Sequence, residues 1–375
     1  MEKGHKDVLE GLAARGRLRS LTGTRGLDFT SNDYLALADS PVLRDAVAEA
    51  LARGVPVGAG GSRLLRGNHP EHEALEEEAA AFFGAETALY FPTGFAANAA
   101  IAATLPRRGD LILHDALIHA SFRDGLDPAR AAIVETPHNN VNAMEDAITH
   151  WRGQGRRGRV WIAVETLYSM DGDCAPLDDL AALAARHDAM LILDEAHATG
   201  VYGPQGRGLA AGMEGASNVI SLHTCGKALG VMGGLVCLPR TLRDFMVNRG
   251  RSFIYSTAPS PLMAAATRAA LKIAAGANQE RSQLMALVRH AGTVMKVRLG
   301  LAPSGSQIQP VIVGADSRAT ALAAAMQARG YDIRAIRPPT VPEGTARLRI
   351  ALTLHADTQI LDRLFADLAA ELEKA

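Results

Sequence analysis

The sequence predicts an α/β protein: a large domain on a mostly parallel sheet covered by helices, then a smaller C-terminal α/β domain. Two observations carry this. Between residues 87 and 223, six short and nearly continuous apolar runs alternate with helix-like segments. Strands buried on both faces read that way, whereas half-buried strands alternate. After about Pro239 the rhythm changes to long helical segments and then to a compact αβ alternation. With roughly 150 residues per domain as a prior, 375 residues hold two or three domains. The predicted division is an N-terminal segment at 1–39, a large domain at 40–275 and a small one at 276–375.

Taken in order, the first well-punctuated helix opens at Ser40-Pro41, an N-cap followed by proline at the first helical position, and stops at Gly54. A second runs from about Pro70 to Phe83 and ends at Gly84. The apolar runs follow: TALYF at 87–91, LILH at 111–114, AAIVE at 131–135, VWIAVE at 160–165, MLILD at 190–194 and VISLH at 219–223. Helical segments are predicted from Ser260 to Leu299. IQPVIVG, a helix ending near Gly330, YDIRAI, RLRIALT and a terminal helix from Asp357 make up the small domain. Ligands of open α/β sheets sit at the carboxyl ends of the strands, so the residues just beyond these runs are the ones to inspect.

Composition excludes several classes. Lys and Arg number 39 against 40 Asp and Glu, a net charge of −1 with no long-range pull towards nucleic acid or an anionic membrane. No apolar run approaches the ~20 residues that span a bilayer. The opening MEKGHKDVLEGLAARGRLRS lacks the apolar centre of a secretory signal, so a cytoplasmic protein is expected. Three widely spaced cysteines, Cys174, Cys225 and Cys237, argue against a disulfide framework or a four-thiolate zinc site, and no metal is expected.

Some motifs dissolve on inspection. DEAH at 194–197 matches a helicase string, but the phosphate loop such a motor needs is absent. In GVPVGAGGSRLLRG (54–67) Arg63 stands where a dinucleotide fingerprint needs its third glycine, so a loop with close backbone packing is predicted. His69 and His72 look like metal ligands but open a helix rich in carboxylates, and a solvent-facing first turn is predicted there.

One constellation survives. Asp194 ends a strongly apolar strand, where a carboxylate is costly to bury without a partner; a helix N-cap is the plainer alternative. His197 follows, and Lys227 lies beyond the next run inside the apolar stretch CGKALGVMGGLVCL, where burial would favour a neutral amine. A buried carboxylate, a buried lysine and a Gly/Ser/Thr-rich anion cradle are what a pyridoxal 5'-phosphate (PLP) enzyme requires.

From SNDYLAL (31–37) to the terminal helix the chain resembles the α-oxoamine synthases, fold-type I PLP enzymes that condense an amino acid with an acyl thioester and release carbon dioxide. The resemblance rests on GAGGSRLLRGNHPEHEALE, TGFAANAA, IHAS, YSMDGDCAPLDDL, LDEAHATGVYGPQGRG, HTCGKALG, FIYSTAPSP and IRPPTVPEGTARLRIALT. It implies that Lys227 carries the cofactor as a Schiff base, that Asp194 partners the pyridine nitrogen and that His197 donates to the phenolic oxygen. It also implies that His119 stacks on the ring and faces substrate, that Ser169 lies beside the cofactor, and that Gly94, Phe95 and Thr224 hold the phosphate. Thr340 and Arg349 match substrate-side positions, as does Arg17, with Arg19 competing for the N-terminal role. Taken alone, Arg349 could equally be a strand-edge surface arginine. Ala36 and Ala198 stand where relatives often have glycine. The implied substrates are L-alanine and a pimeloyl thioester, on coenzyme A or an acyl carrier protein, as in biotin biosynthesis, in a homodimer whose site lies between subunits. Members using glycine with acetyl or succinyl thioesters share the same cofactor residues, and a catalytically inactive, partner-binding member is the alternative outside enzymes.

Overall fold

Seven strands form the main sheet in the computed structural model, which describes residues 2–374. They are β1 (Thr87–Phe91), β2 (Leu111–Asp115), β3 (Ala132–Thr136), β4 (Val160–Glu165), β5 (Met190–Asp194), β6 (Val219–Thr224) and β7 (Gly234–Leu238). Their order across the sheet is β1-β7-β6-β5-β4-β2-β3. β7 runs antiparallel to both neighbours, and every other pair is parallel. The six apolar runs are all strands. β7 is the one the sequence reading missed, because it continues the apolar stretch that begins at Cys225 without a break. The connection Cys225–Gly233 is too short for a helical crossover, which is why β7 returns antiparallel.

Both faces of this sheet are dry except at the edge strand β3, where Ala132 to Glu135 are exposed, and the period of two along the buried strands shows it. Leu89, Ile112, Trp161, Ile192, Ile220 and Val236 join one core cluster with helix Gly94–Thr104. Their strand neighbours Leu111, Ile162, Leu191 and Val219 join a second, and Ala88, Tyr90, Leu235 and Cys237 a third. The six strands other than β3 are therefore packed on both faces, which directs attention to their carboxyl ends.

Local punctuation behaves as physics requires. Helix Pro41–Ala52 is capped by Ser40, whose hydroxyl accepts from Leu43 N at 3.3 Å. Helix Pro70–Phe83 stops at Gly84, which adopts the left-handed φ of 84°. Its first turn is only half solvent-facing: Pro70 and Glu73 are exposed, Glu71 and His72 are not. His72 is fully buried, takes the His69 amide on Nδ1 at 3.2 Å and meets Pro259 O through Nε2 at 2.8 Å. Burial pushes the His72 imidazole down to about 4, so it is neutral and serves the backbone. Glu71 beside it is held by Arg53 and Arg268 instead of water. The glycine-rich stretch is a loop as predicted: a Cβ on Gly67 would lie 2.0 Å from Gly61 O, and Arg63 is buried against Glu76 at 2.7 Å.

Contacts divide the chain into two compact units: 35–169 with 174–281, and the stretch up to Tyr34 with 170–173 and 282 onward. The N-terminal segment thus belongs with the C-terminal part, and the later boundary falls after Arg281, inside helix Asn278–Val294, not at 275. The reason is hydrogen bonding: Leu27–Asp28 pairs in parallel with Tyr331–Asp332, and Ala351 N donates to Phe29 O at 2.9 Å. In this smaller unit β8 (Ile308–Gly314) and β9 (Ala346–Ala351) pair antiparallel, with helices Asp316–Ala328 and Thr358–Leu372. Among the described residues no helix is long and apolar enough to cross a membrane.

Ala36, a non-glycine residue in the left-handed region, has φ of 54°. That region costs an L-residue about 1–2 kcal/mol, partly offset by the extra unfolded-state freedom glycine brings. Ala36→Gly is expected to raise stability by about 0.5–1 kcal/mol, read as a higher urea midpoint; a lower midpoint overturns the strain argument.

Candidate active site

The carboxyl ends of β4, β5 and β6 converge on the start of helix Gly94–Thr104. Asp194, the last residue of β5, is 5 % exposed and accepts two N–H donors. Asn98 Nδ2 reaches Oδ2 at 2.6 Å and the Ala196 amide reaches Oδ1 at 2.9 Å. The capping and the functional readings of Asp194 are therefore compatible: one oxygen holds the turn and both are dry. His197, also buried, places Nε2 2.8 Å from Lys227 Nζ. Lys227 itself is only half-buried, against the expectation of a buried lysine. It stands in the β6–β7 loop beside exposed Gly226, a loop closed by Cys225 N to Gly233 O at 2.9 Å and Gly230 N to Lys227 O at 2.8 Å. The loop is rigid where it leaves the sheet and open where the amine emerges.

The donors expected to hold an anion come from a helix start and a strand end. Thr93 caps the helix by accepting from Ala96 N at 3.0 Å, which leaves the Gly94 and Phe95 amides as unclaimed first-turn donors. Thr224 ends β6 beside them: a Cβ on Gly94 would lie 3.1 Å from Thr224 Oγ1, and one on Gly234 2.9 Å from Gly94 Cα. Any side chain at either glycine would fill the space above the helix end. Phe95 is half exposed, with its ring 6.5 Å from that of His119 at 81°. His119 caps the short helix Ala120–Leu126, and Nδ1 meets both the amide (3.2 Å) and the hydroxyl (2.7 Å) of Ser121. Burial, more than any neighbour, holds its imidazole below the usual range. Buried Ser169 donates its amide to Glu165 Oε2 at 2.9 Å. This donor set fits PLP: amides and a hydroxyl for a phosphate, a dry carboxylate for a ring N–H, and an amine for the aldehyde.

Two residues escaped the sequence reading. Asn98 is a lone polar residue on an apolar helix, TGFAANAAIAA, and its role exists only because that helix packs below β5. Glu165 ends an apolar strand as Asp194 does, and the two are register partners across β4 and β5. It is fully enclosed, and burial together with the Asp194 charge pushes its carboxyl up to about 8, so it is protonated at neutral pH. Deeper in the unit, Glu214, His223 and Cys237 bring three donor atoms within 4.8 Å of one another. His223 is already satisfied there by Thr199, Ser221 and Glu214 and stacks on Phe83 at 3.6 Å, which marks a hydrogen-bonded core network.

In the smaller unit Arg349, on β9, donates to Asn32 Oδ1 at 2.9 Å. Arg347, two residues earlier on the same strand, is paired with Asp171 at 2.6 Å. Arg17 is held by Asp316 (2.5 Å) and Glu343 (2.6 Å), while Arg19 donates to Thr340 Oγ1 at 3.2 Å. A groove of about 520 Å³ is lined by Leu9, Leu12, Leu18 and Val341 with Arg15, Arg17 and Arg19 at its rim.

Residues 24–365 match the family described as aminotransferase class I and II. The 8-amino-7-oxononanoate synthase of Anaeromyxobacter dehalogenans is 42 % identical over 374 residues, 99 % of this chain and 92 % of the relative. Among solved structures, a serine palmitoyltransferase with PLP superposes with a TM-score of 0.88 at 25 % identity, covering 100 % of this chain and 98 % of its own. The 8-amino-7-oxononanoate synthase of Francisella tularensis gives 0.79 at 26 % identity, with 93 % and 98 % covered.

The protonated Glu165 yields a pH signature. Its folded value lies above the unfolded one, so the native state binds the extra proton and stability falls as pH rises from 4.5 to about 8. Glu165→Gln removes that titration. The melting temperature of the variant minus that of the wild type should therefore climb across this window; a flat difference refutes the buried neutral acid.

Proposed function

The chain belongs to the class I and II aminotransferase family, and we propose that, as an α-oxoamine synthase within it, the protein condenses L-alanine with a pimeloyl thioester, releasing carbon dioxide and free thiol and giving 8-amino-7-oxononanoate. The observation that carries this reading is the Lys227–His197–Asp194 cluster at the strand ends, in a chain like the alanine-condensing synthases over nearly its whole length. Bound PLP supplies the electron sink that alanine's α carbon needs on losing its proton.

The chain's own residues do the rest. The Gly94 and Phe95 amides and the Thr224 hydroxyl would hold the phosphate, and Asp194 would accept the ring N–H with a carboxylate that Asn98 and Ala196 keep in place. Ser169 and His197 would meet the phenolic oxygen and His119 the ring, with Ser169 held by Glu165 and His197 beside Lys227 Nζ. Lys227 Nζ takes the α-proton and returns one at the end; His197 Nε2, 2.8 Å away, keeps the amine positioned for both transfers. The new bond joins alanine's α carbon to the thioester carbonyl carbon as the thiolate leaves, and alanine's carboxylate departs as carbon dioxide. Arg349 is proposed to hold that carboxylate until it leaves. Support comes from its place on β9 in the segment RLRIALT, where Arg349 also donates to Asn32 Oδ1, whereas Arg347 on the same strand is paired with Asp171. The groove by Thr340 suits an acyl chain that is apolar along its length and anionic at its tip. Because Arg17 is committed to two carboxylates, Arg19 is favoured over it as the arginine that meets substrate.

A homodimer is part of the proposal, supported by exposed apolar side chains near the cofactor residues, among them Leu64, Leu65, Phe95, Met232 and Tyr255. The cytoplasmic setting is supported by the low cysteine count, three in 375 residues.

A substrate matrix tests the reading: alanine, glycine and serine against pimeloyl, acetyl, succinyl and palmitoyl thioesters, on coenzyme A and on acyl carrier protein, with free thiol measured. Alanine with pimeloyl should dominate; a preference for glycine with acetyl or succinyl overturns it. Arg349→Lys keeps the charge and loses the planar fork, so the KM for alanine should rise roughly ten- to a hundredfold, about 1.5–3 kcal/mol, with cofactor content unchanged. Arg347→Lys is the control. If it alone raises the alanine KM, the carboxylate role passes to Arg347.

A further inference from the structure

We infer that Asp194 fixes the tautomer of His119 through Asn98 and Ser121, keeping the imidazole proton on Nε2. Asn98 and Ser121 are then positioning residues for the imidazole. The direction of each hydrogen bond follows from the one before it. Asp194 Oδ2 accepts at 2.6 Å, so the Asn98 amide must turn its Nδ2 towards it; the reverse orientation would set oxygen against a carboxylate. The second Nδ2 hydrogen goes to Ser121 Oγ at 3.1 Å. With its oxygen receiving from Asn98, the Ser121 hydroxyl is left to donate, and His119 Nδ1 lies 2.7 Å away. The Ser121 amide donates to the same Nδ1 at 3.2 Å. An Nδ1 facing two donors holds no proton, so Nε2 carries it. All four residues lie in one unit, and Asn98 and Ser121 are fully buried or nearly so. Asn98 Oδ1 is buried without a hydrogen-bond partner, so the amide is held against its own preference by the two bonds on its nitrogen.

The consequence is that His119 offers an N–H, not a lone pair, on its far edge. A bound amino acid would meet a donor there, and the charge on Asp194 would set its direction. The tautomer stands on the geometry alone; its effect on turnover rests on the function proposed above.

The test is ¹⁵N NMR of histidine-labelled holoenzyme, with the His119 signals identified by their loss in His119→Asn. The wild type should show Nε2 protonated and Nδ1 bare. Ser121→Ala should give a mixture of tautomers and lower kcat roughly tenfold or more with little change in the alanine KM, and Ser121→Thr, which keeps the hydroxyl, should restore both. Asn98→Leu should shift the tautomer in the same direction. A wild-type proton on Nδ1, or an Ser121→Ala spectrum identical to wild type, overturns the inference. A shifted tautomer with unchanged kcat upholds it and counts instead against a substrate-facing His119.

Discussion

A charged carboxylate at the end of a dry strand is the constraint around which this molecule is arranged. Asp194 closes a strand whose every residue is buried, and moving an ion there without partners would cost several kcal/mol. Two N–H donors meet that demand, one from the turn that follows and one from a helix on the sheet's other connection. That helix is the one whose amino end carries the first-turn amides of Gly94 and Phe95. The same packing that makes Asp194 tolerable therefore fixes the distance between a carboxylate and a helix amino end.

The antiparallel return of β7 does comparable work for the amine. Because the β6–β7 connection is short and pinned by backbone hydrogen bonds at its base, Lys227 emerges from a fixed point between Thr224 and the strand that packs on Gly94. The glycines at 94 and 234 are needed there because backbone must approach backbone and leave the space above the helix end empty. Rigidity below and vacancy above are two results of one tight loop.

How much of this was legible depended on whether a residue's role was local. Asp194 and Lys227 announced themselves because an ionisable group in an apolar run is visible in the string alone. Asn98 did not, since an asparagine on a helix is unremarked until the fold sets a carboxylate beside it. His72 was misread for a related reason: carboxylate neighbours suggested water, and only the tertiary arrangement supplies the arginines that satisfy Glu71 and the carbonyl that takes the His72 proton. The half-burial of Lys227 was equally invisible, because the flanking apolar residues pack inward while the loop turns its tip out. β7 was hidden by continuity of hydrophobicity, which gives no boundary where a chain reverses inside a core.

Glu165 and Asp194 show why a shared sequence signal need not mean a shared state. Each ends an apolar strand, and the register of β4 and β5 sets them side by side. Two such carboxyls in a low-dielectric pocket do not both ionise, since each charge raises the cost of the other. Hydrogen bonding decides between them. Asp194 accepts N–H bonds at both of its oxygens and is the member built to carry charge, whereas Glu165 is met at one oxygen by Ser169 alone and its other oxygen has no hydrogen-bond partner. Glu165 therefore keeps the proton, and burial pushes its carboxyl up to about 8 in agreement with that choice. A neutral acid beside the charged one adds no second anion at the strand ends, and it still accepts the Ser169 amide at 2.9 Å. The site thus obtains one negative charge, at one atom pair, from a sequence that supplies two candidates for it.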